Sequence, residues 1–267
     1  DEVVSELAIN GIRNIELSGG TIFYKGLETD LKKLKKKYDL KYACHAYFPP
    51  PKTDFVVNLA SCNDEIYNRS ITHYEECIEF MKRIHCNVLS IHAGYLVEIN
   101  TNQIGKKLNS QLIYPEDEAY DRFCYAYRYI SDICKKNSIV MYLENNVLSE
   151  ENYKSFGMNN YLMMTDYESI MKMRRKIEFN LLLDLGHLHV STKTLNLNFA
   201  EQCNLLKEYV KWIHISQNNG CIDEHKPLCP DSEILVEYEN IKQSDINVTL
   251  ETVGSINEII SSANLLS

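Results

Sequence analysis

The chain has 267 residues, 45% of them hydrophobic and 24% charged, with a formal net charge of −9. This is ordinary material for a folded protein with ample core, the acidic balance disfavours a broad nucleic-acid footprint, and no apolar run approaches the length of a membrane span. Nine cysteines, an odd number with no C-x-x-C pair, fit free thiols in a reducing compartment, and the start lacks a signal-peptide pattern, so a cytoplasmic protein is expected.

Apolar residues at Val3, Val4 and Leu7 predict a helix over Asp1 to Asn10, ended by Gly11. A short strand, Asn14–Ser18, runs into Gly19-Gly20, where a tight turn is expected. Leu31, Leu34 and Tyr38 then fall at helical spacing among lysines, which gives a surface helix with a solvated basic face. Next come the strand Lys41–His45, an extended loop forced by Tyr47-Phe48-Pro49-Pro50-Pro51, a helix over Glu65–Ile84 and the strand Val88–His92. The polar stretch Asn100–Tyr114 reads as an insertion over one end of the fold. Beyond it the pattern predicts a helix near Pro115–Lys136, whose Tyr120 and Tyr127 would suit an interface between copies, and the strand Ile139–Glu144. A helix near Tyr167–Lys176 precedes the central strand, which starts near Phe179. A helix near Phe199–Tyr209, the strand Val210–Ser216, a helix near Asp231–Ile241, the strand Asn247–Glu251 and a last helix near Ile256–Leu265 complete the chain.

Strand and helix alternate throughout, as in a parallel sheet with crossover helices, and no Pro/Gly/Ser-rich linker divides the chain. The expected architecture is a single (β/α)8 TIM barrel domain spanning residues 1–267. Only seven strands can be counted where a closed barrel needs eight, and the chain opens on a helix without an initiating Met, so the first strand is expected to lie upstream of Asp1. A doubly wound open sheet is the alternative, weakened by the lack of a Gly-rich phosphate loop after an early strand.

The chemistry gathers at strand ends. Leu181-Leu182-Leu183-Asp184-Leu185-Gly186-His187 is an aliphatic run that stops in a carboxylate with an imidazole three residues on, and Glu144, His214 and Glu251 end other strands in the same way. In a parallel α/β protein these ends share one face, where three carboxylates and an imidazole make a site suited to Mn2+, Mg2+, Co2+ or Zn2+. His45, His92, His187, Asp223 and His225 form a second tier on that face, which could bring in more than one ion or orient a substrate. His73, His85 and His189 are left out, the first two as helix residues and the third as lying beyond the ligand-bearing turn. Cys221 and Cys229 match no zinc module.

With Ile15-Glu16-Leu17, Ser90-Ile91-His92-Ala93-Gly94, Leu143-Glu144-Asn145-Asn146, Leu183-Asp184-Leu185-Gly186-His187, Ile213-His214-Ile215-Ser216, Asp223-Glu224-His225-Lys226-Pro227-Leu228 and Leu250-Glu251-Thr252 in this order, the chain resembles the xylose isomerase-like TIM barrels, the superfamily of sugar-phosphate isomerases and epimerases and of endonuclease IV. Similarity to the ketose epimerase branch implies one divalent ion held by Glu144, Asp184, His214 and Glu251. It also implies proton transfer by Glu144 and Glu251, a substrate oxygen contacted by His187, and a small sugar or sugar phosphate as substrate. Similarity to endonuclease IV implies instead a three-zinc cluster on His45, His92, Glu144, Asp184, His187, His214, Asp223, His225 and Glu251 for phosphodiester cleavage. The short His214-to-Asp223 segment, the Pro-rich loop after His45 and the absence of an Arg-rich segment depart from the nuclease and favour the isomerase. A barrel that binds a metal or sugar without turnover is the third reading.

Overall fold

The computed structural model describes residues 2–18, 22–103, 106–108 and 112–266. Seven strands, β1 (Asn14–Leu17), β2 (Lys41–His45), β3 (Val88–His92), β4 (Val140–Glu144), β5 (Asn180–Asp184), β6 (Val210–Ile215) and β7 (Asn247–Leu250), lie in sequence order in one all-parallel sheet. They curl into a nearly closed barrel of the TIM type, with helices in the crossovers. Among the described residues no eighth strand fills the space between β1 and β7, so these two are the sheet edges. The helices are α1 (Glu2–Ile9), α2 (Leu27–Tyr38), α3 (Asp64–Ile84), α4 (Glu116–Lys136), α5 (Glu150–Ser155), α6 (Tyr167–Arg174), α7 (Leu185–Leu195), α8 (Phe199–Leu206), α9 (Glu233–Ile241) and α10 (Ile256–Asn264). None of them is long and apolar enough to cross a membrane.

Period-two alternation sorts each strand into two faces. Leu17, Cys44, Leu89, Ile91, Leu143, Leu181, Leu183, Ile213 and Ile215 belong to the large core between strands and helices. The opposite parity faces the lumen. There Ala43, Leu182 and Trp212, joined by Val88 and Tyr142, form a separate apolar cluster, with Tyr142 and Trp212 edge to face at 5.1 Å. Two residues further along each strand, the same parity delivers His45, Ser90, Glu144, Asp184 and His214. The apolar plug closes the lumen below, and the polar groups crown it at the carboxyl ends of the strands.

Two helices lie outside the expected set. α7 starts directly from the end of β5, with Asp184 as its N-cap. Its sequence LGHLHVSTKTL is buried nearly all round, from Leu185 to Thr192, so it lacks the polar face that makes a helix visible as a period. α5 is six residues long, capped by Ser149 accepting from Asn152 N–H. Tyr120 and Tyr127 are buried, because Ala119, Tyr120, Phe123, Tyr127, Ile130 and Cys134 form the inward face of α4; its outward tyrosines are Tyr125 and Tyr129. The interface expected of Tyr120 and Tyr127 therefore has no basis. The Gly19-Gly20 turn and part of the Asn100–Tyr114 insertion fall outside the described residues. All nine cysteines are free thiols.

Candidate metal centre

All nine residues expected at the site meet in one cup at the carboxyl ends of the strands. Single ligand atoms of Glu144, Asp184, His214 and Glu251 lie within 4.8 Å of one another, and the same holds for His45, His92 and Glu144. His45 Nε2 and His92 Nδ1 approach Glu144 Oε2 at 3.4 and 3.2 Å. His214 Nδ1 stands 3.1 Å from Glu251 Oε1 and 3.6 Å from Glu144 Oε1. On the other side His187 Nε2 and His225 Nε2 flank Asp223 Oδ2 at 3.2 and 2.9 Å.

Local structure explains the aim of each group. Asp184 divides its oxygens: Oδ1 accepts from His187 N–H at 2.6 Å and caps α7, while Oδ2 is buried without a partner. The cap places His187 one turn into the helix, where its Nδ1–H donates to the Asn145 carbonyl at 2.8 Å and leaves Nε2 to face Asp223. Asn145 clamps β4 to β5 by accepting from Asp184 N–H and donating to the Asp184 carbonyl. Asp223 and His225 come from the loop after β6, held by the mutual backbone bonds of Gln217 and Lys226 and by Val253 N–H donating to the His225 carbonyl. Gly94 follows β3 so tightly that a Cβ would stand 2.5 Å from that of Ala60, which fixes how the chain leaves His92. His189, outside the expected set, is on α7 and bonds Asn218 and Glu233 rather than the cup.

Glu16 joins the cup although strand-end reasoning missed it. It stands inside β1, and its Oε2 accepts from His214 Nε2–H at 3.0 Å and from the Thr249 hydroxyl at 2.6 Å, its Oε1 from the Ser90 hydroxyl at 2.7 Å. The signal was present in the Ile15-Glu16-Leu17 alternation, since a carboxylate between two core residues of a strand points into the lumen.

The cup carries more negative charge than its burial tolerates. Burial pushes the Asp184 carboxyl up to about 7, the pull of His187 being countered by Asp223, Glu251 and Glu144. Glu144 and Glu251 are held below the usual carboxylate range despite their burial, Glu144 by His92, His45 and His214 and Glu251 by His214, His45 and His187. In return His187 and His214 titrate well above the usual imidazole range against their burial, through Asp184 and Asp223 in one case and Glu16 and Glu251 in the other. The hydrogen bond to Asp223 raises His225 to about 9. Imidazolium protons thus balance carboxylates that a divalent cation would balance better. Both Glu144 oxygens, Asp184 Oδ2, His214 Nδ1, His92 Nδ1 and Asp223 Oδ1 are buried without a hydrogen-bond partner. Six such atoms in one cup, all of kinds that ligate hard or borderline ions, fit a metal.

Comparison with known proteins agrees with this architecture. Solved structures similar to the chain include a D-tagatose 3-epimerase-like protein, at 19% identity over 98% of this chain and 90% of that one with a TM-score of 0.70. D-Psicose 3-epimerase with D-tagatose, from Clostridium cellulolyticum H10, matches at 13% identity over 100% and 84% with a TM-score of 0.64. The IOLI protein with a binding zinc atom matches at 14% over 99% and 91% with a TM-score of 0.67. No curated protein matches the sequence. The family described as xylose isomerase-like TIM barrel matches residues 6–248, nearly the whole chain, and the protein belongs to that family.

Proposed function

We propose that the protein is a divalent-metal-dependent isomerase or epimerase of a small sugar or sugar phosphate, acting as one catalytic unit in the reducing cytoplasm. The observation that carries this reading is the convergence of Glu144, Asp184, His214 and Glu251 within 4.8 Å, at the ends of four consecutive strands, with the facing atoms of Glu144, Asp184 and His214 unpaired. Structural relatives that include 3-epimerases of psicose and ribulose and a tagatose 3-epimerase-like protein support the reaction class, and the zinc atom in the IOLI structure supports the cofactor class.

Glu144, Asp184, His214 and Glu251 would hold the ion. Once bound, it supplies Lewis acidity toward a carbonyl and its neighbouring hydroxyl, which acidifies the C–H between them. That help is needed, because Glu251, held low by its imidazole neighbours, is a weak base. Glu251 is the member of the four that reaches solvent, its side chain 20% exposed where that of Glu144 is fully buried. Glu251 and Glu144 would stand on the two sides of the substrate and move its proton, Glu251 from the open side and Glu144 from beneath. His187, with Nε2 free of its backbone bond, steadies a substrate oxygen.

A second reading, an endonuclease IV-like zinc phosphodiesterase, is favoured by a specific observation. His45, His92 and Glu144 form a further ligand group beside the first, and His187, Asp223 and His225 gather on its other side. Metal content and turnover separate the two. The isomerase reading expects one Mn-, Mg- or Co-type ion per chain and conversion of some member of a ketose and aldose panel. It also expects Glu251→Gln to retain metal while losing at least about 100-fold in turnover. Three zinc ions per chain and cleavage of abasic-site DNA, with every sugar inert, would replace it by the second.

A further inference from the structure

The bonds around Glu16 go beyond holding β1 in place. We infer that Glu16 is a positioning residue whose single carboxylate sets which nitrogen each of two imidazoles presents to the cup, His214 directly and His45 through Ser90.

The argument follows the protons. An ionised carboxylate only accepts, so each group bonded to Glu16 must donate to it. His214 therefore carries a proton on Nε2, bonded to Glu16 Oε2 at 3.0 Å, and its Nδ1 is the nitrogen left for Glu144 and Glu251. The one proton of Ser90 goes to Glu16 Oε1 at 2.7 Å, so its oxygen, 2.8 Å from His45 Nδ1, accepts there. His45 is protonated on Nδ1 in consequence, and its Nε2 is left for Glu144 and His92. The remaining bond obeys the same rule: the Thr249 proton goes to Glu16 at 2.6 Å, so Thr249 accepts from the Trp212 indole N–H at 2.9 Å. Every proton in this chain, from Ser90 on β3 to Thr249 on β7, is oriented by one acceptor.

Glu16, His45 and His214 also bring ligand atoms within 4.8 Å of one another and could be taken for a metal group of their own. Their bonds argue otherwise. Both Glu16 oxygens and the nitrogens that face them are already paired, whereas the orphaned His214 Nδ1 and the Glu144 oxygens lie on the far side of the two rings. Glu16 stands behind the ligands, in the place from which an outer carboxylate fixes the tautomer and raises the basicity of a metal-binding histidine.

The inference rests on the cup holding a divalent cation, as proposed above, and the experiment keeps the two apart. Wild type, Glu16→Ala and Ser90→Ala are stripped with chelator and titrated calorimetrically with Mn2+ and with Zn2+. Imidazole 15N–1H spectra are then recorded on the Zn2+-loaded proteins. Glu16→Ala is expected to lose about 10- to 100-fold in affinity and to lose the exchange-protected Nε2–H resonance of His214. Ser90→Ala is expected to weaken only binding that involves His45 and to keep that resonance; in the Glu16→Ala background it should add little. Were Glu16→Ala not to fold, loss of the His45 Nδ1–H resonance in Ser90→Ala would carry the test. Affinity of Glu16→Ala within about threefold of wild type, set against the expected range, or an unchanged His214 resonance, overturns the positioning role and leaves the metal reading standing. A wild-type protein that binds neither cation overturns both.

Discussion

His73 lies on α3 with its imidazole among the rings of Tyr47, Phe55 and Tyr74, and its Nε2 is buried with no partner. Burial, aided by the charge of Arg69, lowers its pKa from 6.5 to about 4. Between those values the unfolded chain takes up a proton that the folded one refuses, so stability falls as pH falls through this window. By pH 5 the loss should be on the order of 2 kcal/mol. Urea midpoints measured in excess chelator should therefore drop more steeply from pH 7 to pH 5 for wild type than for His73→Gln; parallel curves would show that His73 does not set the slope. At this scale the sequence was informative where a side chain interrupts an apolar run at its end, as Glu144, Asp184 and His214 do. It was less so for Glu16, which sits mid-strand and whose role depends on His214, 198 positions away. Tyr120 and Tyr127 were misplaced because an aromatic residue suits either face of a helix, and only the packing of α4 decides.

α7 shows what is lost when an element has no polar side. Its Gly, Ser, Thr and Val residues are modest helix formers and its surroundings are apolar almost throughout, so burial and the Asp184 cap make it, not propensity or period. The cap and the proposed ligand role of Asp184 belong to different oxygens, and substitution can separate them. Asparagine caps as well as aspartate. Without a cation, Asp184→Asn should be more stable than wild type near pH 8, because the wild-type carboxyl, raised by burial to about 7, is costly to ionise in the fold. With a saturating cation the order should reverse. Asp184→Ala, which also loses the bond to His187 N–H, should fall about 1 kcal/mol below Asp184→Asn in either state. Thermal melts of the three proteins with and without Mn2+ test this, and identical behaviour of Asn and Ala would deny the cap its role.

Across the whole molecule the legible feature was alternation: aliphatic strands separated by amphipathic helices specify a parallel barrel, and the parity of each strand then specifies what enters its lumen. The barrel itself was legible in this way, but the contacts that bridge its gap were not, because they join the two ends of the chain. Here Glu16 on β1 reaches Thr249 on β7 and His214 on β6 across the space between the sheet edges. The candidate ligands are as widely spread, from His45 to Glu251, so an unfolded chain cannot assemble them and a cation that binds the cup binds only the native state. Mass action then stabilises the fold by about 2.7 kcal/mol at a free concentration 100 times the dissociation constant. For a protein of this size that corresponds to a rise in Tm of roughly 5–10 °C. The rise should grow with the logarithm of cation concentration, vanish on adding chelator and shrink in Glu144→Gln, whose buried side chain touches candidate ligands from both groups. A Tm that ignores Mn2+, Co2+ and Zn2+ alike would mean that the six unpaired atoms of the cup serve some other partner.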